Sequence, residues 1–274
     1  MKRPGLKEYI IKITCNGSDS IDERIDQVFY IRQENTPMDE KEALRQDVVY
    51  FLPLIEMIQK EDDKHEHDRS LLQLLAMLAE TYVKLEDYRP LGEVAHDVIE
   101  VLRDGQTSSE ELQETVPRIV DAIRHSVYRH YLYEILLLYI KNVLYSDPEA
   151  DVSTKLLTLY LKLHILLDDH SWTDRLITKD FKLGFLRRFS SSELLNIILH
   201  PQIDYLAVDP VEYTWEWEKI YYDIEDELDR RLAKVPRRMG FCFRYWDEKR
   251  NLLKEKYNID WHAPNQMNPH VMFD

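Results

Sequence analysis

Apolar residues recur along this chain at intervals of three and four, and residues that cap helices repeatedly open and close the intervals. Leu6, Tyr9, Ile10 and Ile13 fall at i, i+3, i+4 and i+7 and so share one helical face. Asn16-Gly17 supplies a stop, and a short strand over Tyr9–Thr14 is the competing reading. Ser20-x-x-Glu23 is a capping box ahead of Ile21, Ile25, Val28 and Phe29. Thr36-Pro37 reads as an N-cap with proline at the first helical position, opening a helix to about residue 60 that Pro53 should kink or split. Leu71–Leu85 and Leu91–Leu102 are further helices, separated by Arg89-Pro90 and ended near Gly105. Capping boxes recur at Ser108-x-x-Glu111 and Ser190-x-x-Glu193. After the first of these the pattern runs past Pro117 to Tyr145 with no later breaker, as one helix or two. Asp147-Pro148 predicts a start for a helix reaching about Leu167, and His200-Pro201 a stop. Asp209-Pro210-x-Glu212 combines an N-cap, an N1 proline and an N3 acid, the strongest start in the chain.

Some ten to twelve helices with short joints predict an all-α architecture of antiparallel helical hairpins, as a compact bundle or a partly solenoid-like stack. The expected organisation is a helical body over 1–208 and a helical hairpin with an irregular tail over 209–274, packed as one domain.

Composition supports this. The 274 residues include only six glycines, where an average chain of this length carries about 19. None lies close to another, so there is no G-x-G-x-x-G turn, P-loop or G-x-S-x-G elbow. Loop-based nucleotide sites and hydrolase elbows are thereby excluded. The net charge of −15 disfavours bulk binding to nucleic acid or anionic membrane. Cys15 and Cys242 form neither a disulfide framework nor a C-x-x-C metal motif, and a reducing cytosol is the expected compartment. Lys7, Glu8 and Lys12 interrupt the apolar residues near the start, so no signal peptide is expected. Glu134 and Lys141 interrupt the longest apolar stretch, so no membrane span is expected.

Leu78-Ala79, Tyr82, Tyr88 and Ala95 are spaced as in a helical hairpin whose small residues allow close approach. On these residues the segment 72–105 resembles a tetratricopeptide unit. Leu75 replaces the usual early tryptophan, Leu91 sits where a small residue is usual, and no proline closes the unit. A fainter match runs from Leu159 to Arg175 with Trp172 at the turn. The resemblance implies stacked helices and a concave surface for a protein or peptide.

Candidate chemistry is sparse. His67 precedes His96-Asp97 by 29 residues, a spacing similar to that of HD-family phosphohydrolases. The resemblance implies a metal held by His67, His96, Asp97 and a later aspartate such as Asp151, Asp168 or Asp169, lowering the pKa of a bound water. The Gly-Lys that usually follows the His-Asp pair is missing. Glu93-x-x-His96 has no second copy to complete a di-iron bundle. His65-Glu66-His67-Asp68 and Asp168-Asp169-His170 offer ligands but read as solvated connectors. His125 and His130 diverge by about 140° around a helix and cannot chelate. Ser190-Ser191-Ser192 reads as a cap, and Cys242 as a buried structural thiol. No catalytic residue and no cofactor is expected.

The clearest departure from randomness lies near the C-terminus. Residues 209–229 hold nine acids and one base, and residues 230–256 hold ten bases and three acids. The two blocks are expected to pair as a helix from Pro210 to about Lys234, a turn over Pro236–Gly240, and a returning helix over about Tyr245–Tyr257. The basic block interleaves arginine with aromatics, so Arg237, Arg238, Arg244, Tyr245 and Trp246 are the candidate partner-binding residues. Internal pairing, docking of an acidic protein, and phosphate or nucleic-acid contact compete for this segment. The last residues, with Trp261, Val271, Met272 and Phe273, are too apolar for a solvated tail. They are expected to pin on the helical body or dock on another subunit. The leading functional reading is a cytosolic interaction or scaffold protein that binds a protein or peptide in a helical groove. Homo-oligomerisation is compatible with it. The alternatives are a metal-dependent phosphohydrolase and nucleic-acid binding.

Overall fold

The computed structural model describes residues 6–15, 19–35, 37–61, 67–104, 107–147, 150–167 and 187–273. Among these, regular structure is helical throughout. The α-helices are α1 (Leu6–Thr14), α2 (Ile21–Glu34), α3 (Glu40–Gln59), α4 (Asp68–Lys84), α5 (Leu91–Asp104), α6 (Ser109–Ile123), α7 (Arg129–Ser146), α8 (Thr154–Leu167), α9 (Ser191–Leu199), α10 (Trp215–Leu232), α11 (Phe241–Tyr257) and the single turn α12 (Pro264–Met267). A 3₁₀ turn spans Pro210–Tyr213. None of these helices is long and apolar enough to cross a membrane.

Local chemistry sets most starts. Ser20, Ser108 and Ser190 each accept from the N–H of the third residue on, and the glutamate there accepts from the serine N–H. The strand reading of Tyr9–Thr14 is overturned. The Thr14 hydroxyl donates back to the carbonyls of Ile10 (3.2 Å) and Ile11 (3.1 Å), closing a helical turn. Three helix starts also differ from expectation. α3 begins at Glu40, where Asp39 accepts from the N–H of Glu42, while the expected cap Thr36 lies outside the described residues. Pro53 sits inside α3 without ending it. α8 begins at Thr154, not directly after Asp147-Pro148. The strong signal at Asp209 yields only the 3₁₀ turn, since Thr214 turns extended and its hydroxyl caps Trp217 N–H to start α10. The glycine stops at Gly17 and Gly105 lie outside the described residues, as do Pro148 and the segment 168–186 with Trp172.

The chain divides into two units, residues 1–126 with 134–152 and residues 127–133 with 153–274. The division passes through α7. In the first unit α4 packs on α3, α5 and α6, while α1, α2 and α3 pack on one another. This helix-on-helix succession is repeat-like. α4 takes the central place because it is apolar on more than one face: Leu71, Leu72, Leu74, Leu75, Ala76, Leu78, Ala79 and Tyr82 are all buried. Ala79 of α4 and Ala95 of α5 are fully buried small residues that allow close helix approach. Two-pronged arginine–carboxylate pairs tie neighbours together. Arg118 reaches Glu80 at 2.7 and 2.9 Å, and Arg32 reaches Asp47 at 2.6 and 2.9 Å.

In the second unit α8 packs on α9 and on the 3₁₀ turn, and α10 packs on α11. Tyr133 stacks on Tyr160 at 5.3 Å between ring centroids. The α10–α11 hairpin turns as expected at Pro236–Gly240, where Gly240 takes φ +80° immediately before α11.

Candidate functional site

The hairpin is built on i, i+4 spacing. Trp217, Ile224 and Leu228 of α10 and Leu252 and Leu253 of α11 face one another and share a core with Trp261 and Ala263 of the tail. The same spacing carries Lys249 inward one turn after Tyr245. Its ammonium lies 5.1 Å from the ring centroid of Trp217, 4.8 Å from Tyr221, 5.8 Å from Tyr245 and 5.4 Å from Trp261. A lysine side chain only 7% exposed needs a counter-charge, and Glu225 Oε1 supplies it at 2.7 Å. Glu225 Oε2 accepts from the Tyr245 hydroxyl. Burial and the Glu225 charge both push the Tyr245 phenol well above its ordinary range.

The tail closes this box. The Trp261 indole donates to Glu212 Oε1 at 2.7 Å. His262 places both its backbone N–H and Nδ1 at 2.7 Å from Asp209 Oδ2. The Asn268 side chain exchanges two hydrogen bonds with the backbone of Ala207. The apolar tail is thus pinned within its own unit. Burial raises the Glu212 carboxyl above the ordinary carboxylate range, while Trp261 and Lys249 pull it down.

The five predicted partner-binding residues separate. Tyr245 points inward to Glu225. Arg237 lies 3.4 Å from Asp229 and over the Phe241 ring at 5.6 Å. Trp246 is half-buried, edge-on to Phe243 and Phe273. Arg238 and Arg244 are exposed and have no ion pair among the described residues. Beside them Met239 is 91% and Phe243 42% exposed. The sequence reading missed Lys249 and Glu225, although Tyr245-x-x-x-Lys249 ahead of Leu252-Leu253 marks an inward helix face.

His67, His96 and Asp97, the residues of the metal alternative, are not gathered into one cluster among the described residues. Among the described residues no three His, Cys, Asp or Glu side chains come together as a metal site. His67 precedes α4 and lies 4.0 Å from Asp22, whereas His96 is on the solvent side of α5, 60% exposed, beside Asp97 at 3.8 Å. α5 buries Val94, Ala95, Val98 and Ile99, which turns His96 outward. Glu93 is exposed on the same helix. His65, Glu66, Asp168, Asp169 and His170 lie outside the described residues. Cys242 is half-buried, not buried as expected, because it sits on the first turn of α11.

Two further features stand out. His130 and Glu218 form a buried pair: Nδ1 lies 2.7 Å and the backbone N–H 2.8 Å from Glu218 Oε1, and Trp215 stacks on the imidazole at 4.1 Å. In the first unit a groove of about 470 Å³ runs between α1 and α3. Ile11 and Cys15 form one wall, and Val49, Leu52, Pro53 and Met57 the other. Proline has no N–H, so the Val49 carbonyl in that wall lacks its usual i+4 donor. Comparison of the chain with protein-family models, curated proteins and solved structures finds no match.

Proposed function

We propose that this protein is a non-enzymatic, cytoplasmic helical scaffold that binds a segment of a protein partner in the groove between α1 and α3. The carrying observation is the groove itself. Its volume of about 470 Å³ falls within the usual range for ligand pockets, its lining is mostly apolar, and Ile11 and Leu52 are exposed at it. The repeat-like packing of α3 to α6 supports the reading, since stacked helical hairpins serve as extended binding surfaces, and so does the tetratricopeptide resemblance of 72–105. The test is affinity capture from the native cell with mass spectrometry, comparing wild type with Leu52→Asp. A protein captured by wild type and lost from a folded Leu52→Asp variant is the expected result. Identical capture by both would overturn the reading.

A further inference from the structure

We propose that the head of α11 is a second interaction surface, one that takes a short acidic segment of a partner protein carrying apolar side chains. It lies in the second unit and is independent of the groove between α1 and α3.

Four of the six arginines in residues 230–256 are already paired within the hairpin. Of the arginines in the basic block, Arg230 and Arg231 pair with Glu227, Arg231 also with Glu248, Arg237 with Asp229, and Arg250 with Asp247. Lys249 is consumed by the aromatic box. Arg238 and Arg244 have no such partner among the described residues, and both are exposed. They bracket the turn at Gly240 and the first turn of α11. A helix start adds partial positive charge, and Gly240 offers no side chain to cap it. Arginine forks match carboxylates in pairs of hydrogen bonds.

The apolar half is just as open. Met239 sits between Arg238 and Gly240, 91% exposed, and Phe243 precedes Arg244. Phe243 and Phe273 meet Trp246 edge-on at 5.4 and 5.1 Å, so Phe243, the neighbour of Arg244 in sequence, belongs to an aromatic cluster. Met272, next to Phe273, is almost fully exposed. Methionine and aromatic side chains around arginine are the composition of protein-binding surfaces. A nucleic acid would also meet arginine and aromatics, but its long line of phosphates would face a chain of net charge −15. A short segment with a few carboxylates meets mainly the local positive charge.

The test is fluorescence anisotropy with the full chain and three fluorescein-labelled probes. These are a short peptide alternating Asp and Glu with Leu and Phe, the same peptide with every acid replaced by lysine, and a single-stranded DNA oligonucleotide. The acidic peptide is expected to bind, weakening with salt, and the lysine peptide not to bind. Arg238→Glu with Arg244→Glu should weaken the acidic peptide by about tenfold or more. Phe243→Ser should weaken it independently, while Lys254→Glu, an exposed charge further along α11, should leave it unchanged. Far-UV circular dichroism checks that each variant stays folded. No binding of the acidic peptide, equal binding of the lysine peptide, tighter binding of the oligonucleotide, or binding insensitive to both arginines overturns the proposal. Leu52→Asp changes none of these probes, so the two surfaces stand or fall separately.

Discussion

Lys249→Met removes the ammonium from the aromatic box while keeping a side chain of similar length. Taking one partner from a buried ion pair costs about 3–5 kcal/mol, because the other charge stays behind. Glu225 is 28% exposed and keeps its bond from Tyr245, so water and a phenol share the burden and the loss falls at the low end. The four ring contacts share one ammonium and do not add. A methionine thioether retains about 0.3–1.5 kcal/mol with aromatic rings, close to what an exposed cation–π contact supplies. The expected loss is therefore about 3 kcal/mol. Urea unfolding followed by tryptophan fluorescence measures it, since four of the five tryptophans lie at 215, 217, 246 and 261. A midpoint shift of about 1–3 M is expected for an ordinary urea slope. With two units in the chain, the free energy belongs to the fluorescence-detected transition alone. Adding Glu225→Gln removes both charges and should cut the loss to about 1 kcal/mol. If Lys249→Met unfolds at the wild-type midpoint or above, or if the double variant is no more stable than the single one, the ammonium does not hold the hairpin.

Three other outcomes are expected. Gly240→Ala should cost about 1 kcal/mol by urea denaturation, purely from its φ of +80°, since nothing lies within 4 Å of the added Cβ; an unchanged midpoint would contradict this. Burial raises the Glu212 carboxyl, so folding binds its proton more tightly and wild type loses stability as pH rises from the ordinary carboxylate range through the raised value. Glu212→Gln, still able to accept from Trp261, should therefore be the more stable form at neutral pH and lose that advantage on acidification; a pH-independent difference would sink the argument. Burial lifts the Tyr139 and Tyr213 phenols to about 12, so their stabilising contribution is present below the ordinary tyrosine range and disappears as pH rises through about 12. Absorbance titration should show a late tyrosinate fraction that moves to the ordinary range in urea.

Helix starts were legible wherever their chemistry was local. A serine and the glutamate three residues later are enough to open a helix, and all three capping boxes do so. The break between α6 and α7 had no such signal. Neither glycine nor proline lies in Arg124–Tyr128. The Ser126 hydroxyl donates to the Ile123 carbonyl at 2.6 Å, and the first turn of α7 is capped by Glu218, 88 residues away, through the His130 N–H. A cap supplied from so far along the chain leaves no mark on the sequence around the start. Asp209 is the reverse case. Its side chain does accept from Val211 N–H, but it is also committed to His262, and the true helix waits for Thr214.

The site was legible in charge but not in direction. Opposite blocks of acid and base do pair, through Glu225 with Lys249 and Asp229 with Arg237, as the counts implied. Counts cannot say which charges remain. That depends on helix phase, which sends Tyr245 and Lys249 inward together, and on where the acidic helix stops. α10 ends at Leu232, and its last acid is Asp229, which is taken by Arg237. Beyond that point no acid stands until Asp247, so bases between Arg238 and Arg244 have no carboxylate beside them in sequence. Two of the bases left without a carboxylate partner among the described residues, Arg238 and Arg244, therefore stand at the turn. There the exposed arginines lie beside the exposed Met239 and Phe243, which is why the proposed acidic segment is assigned to the turn.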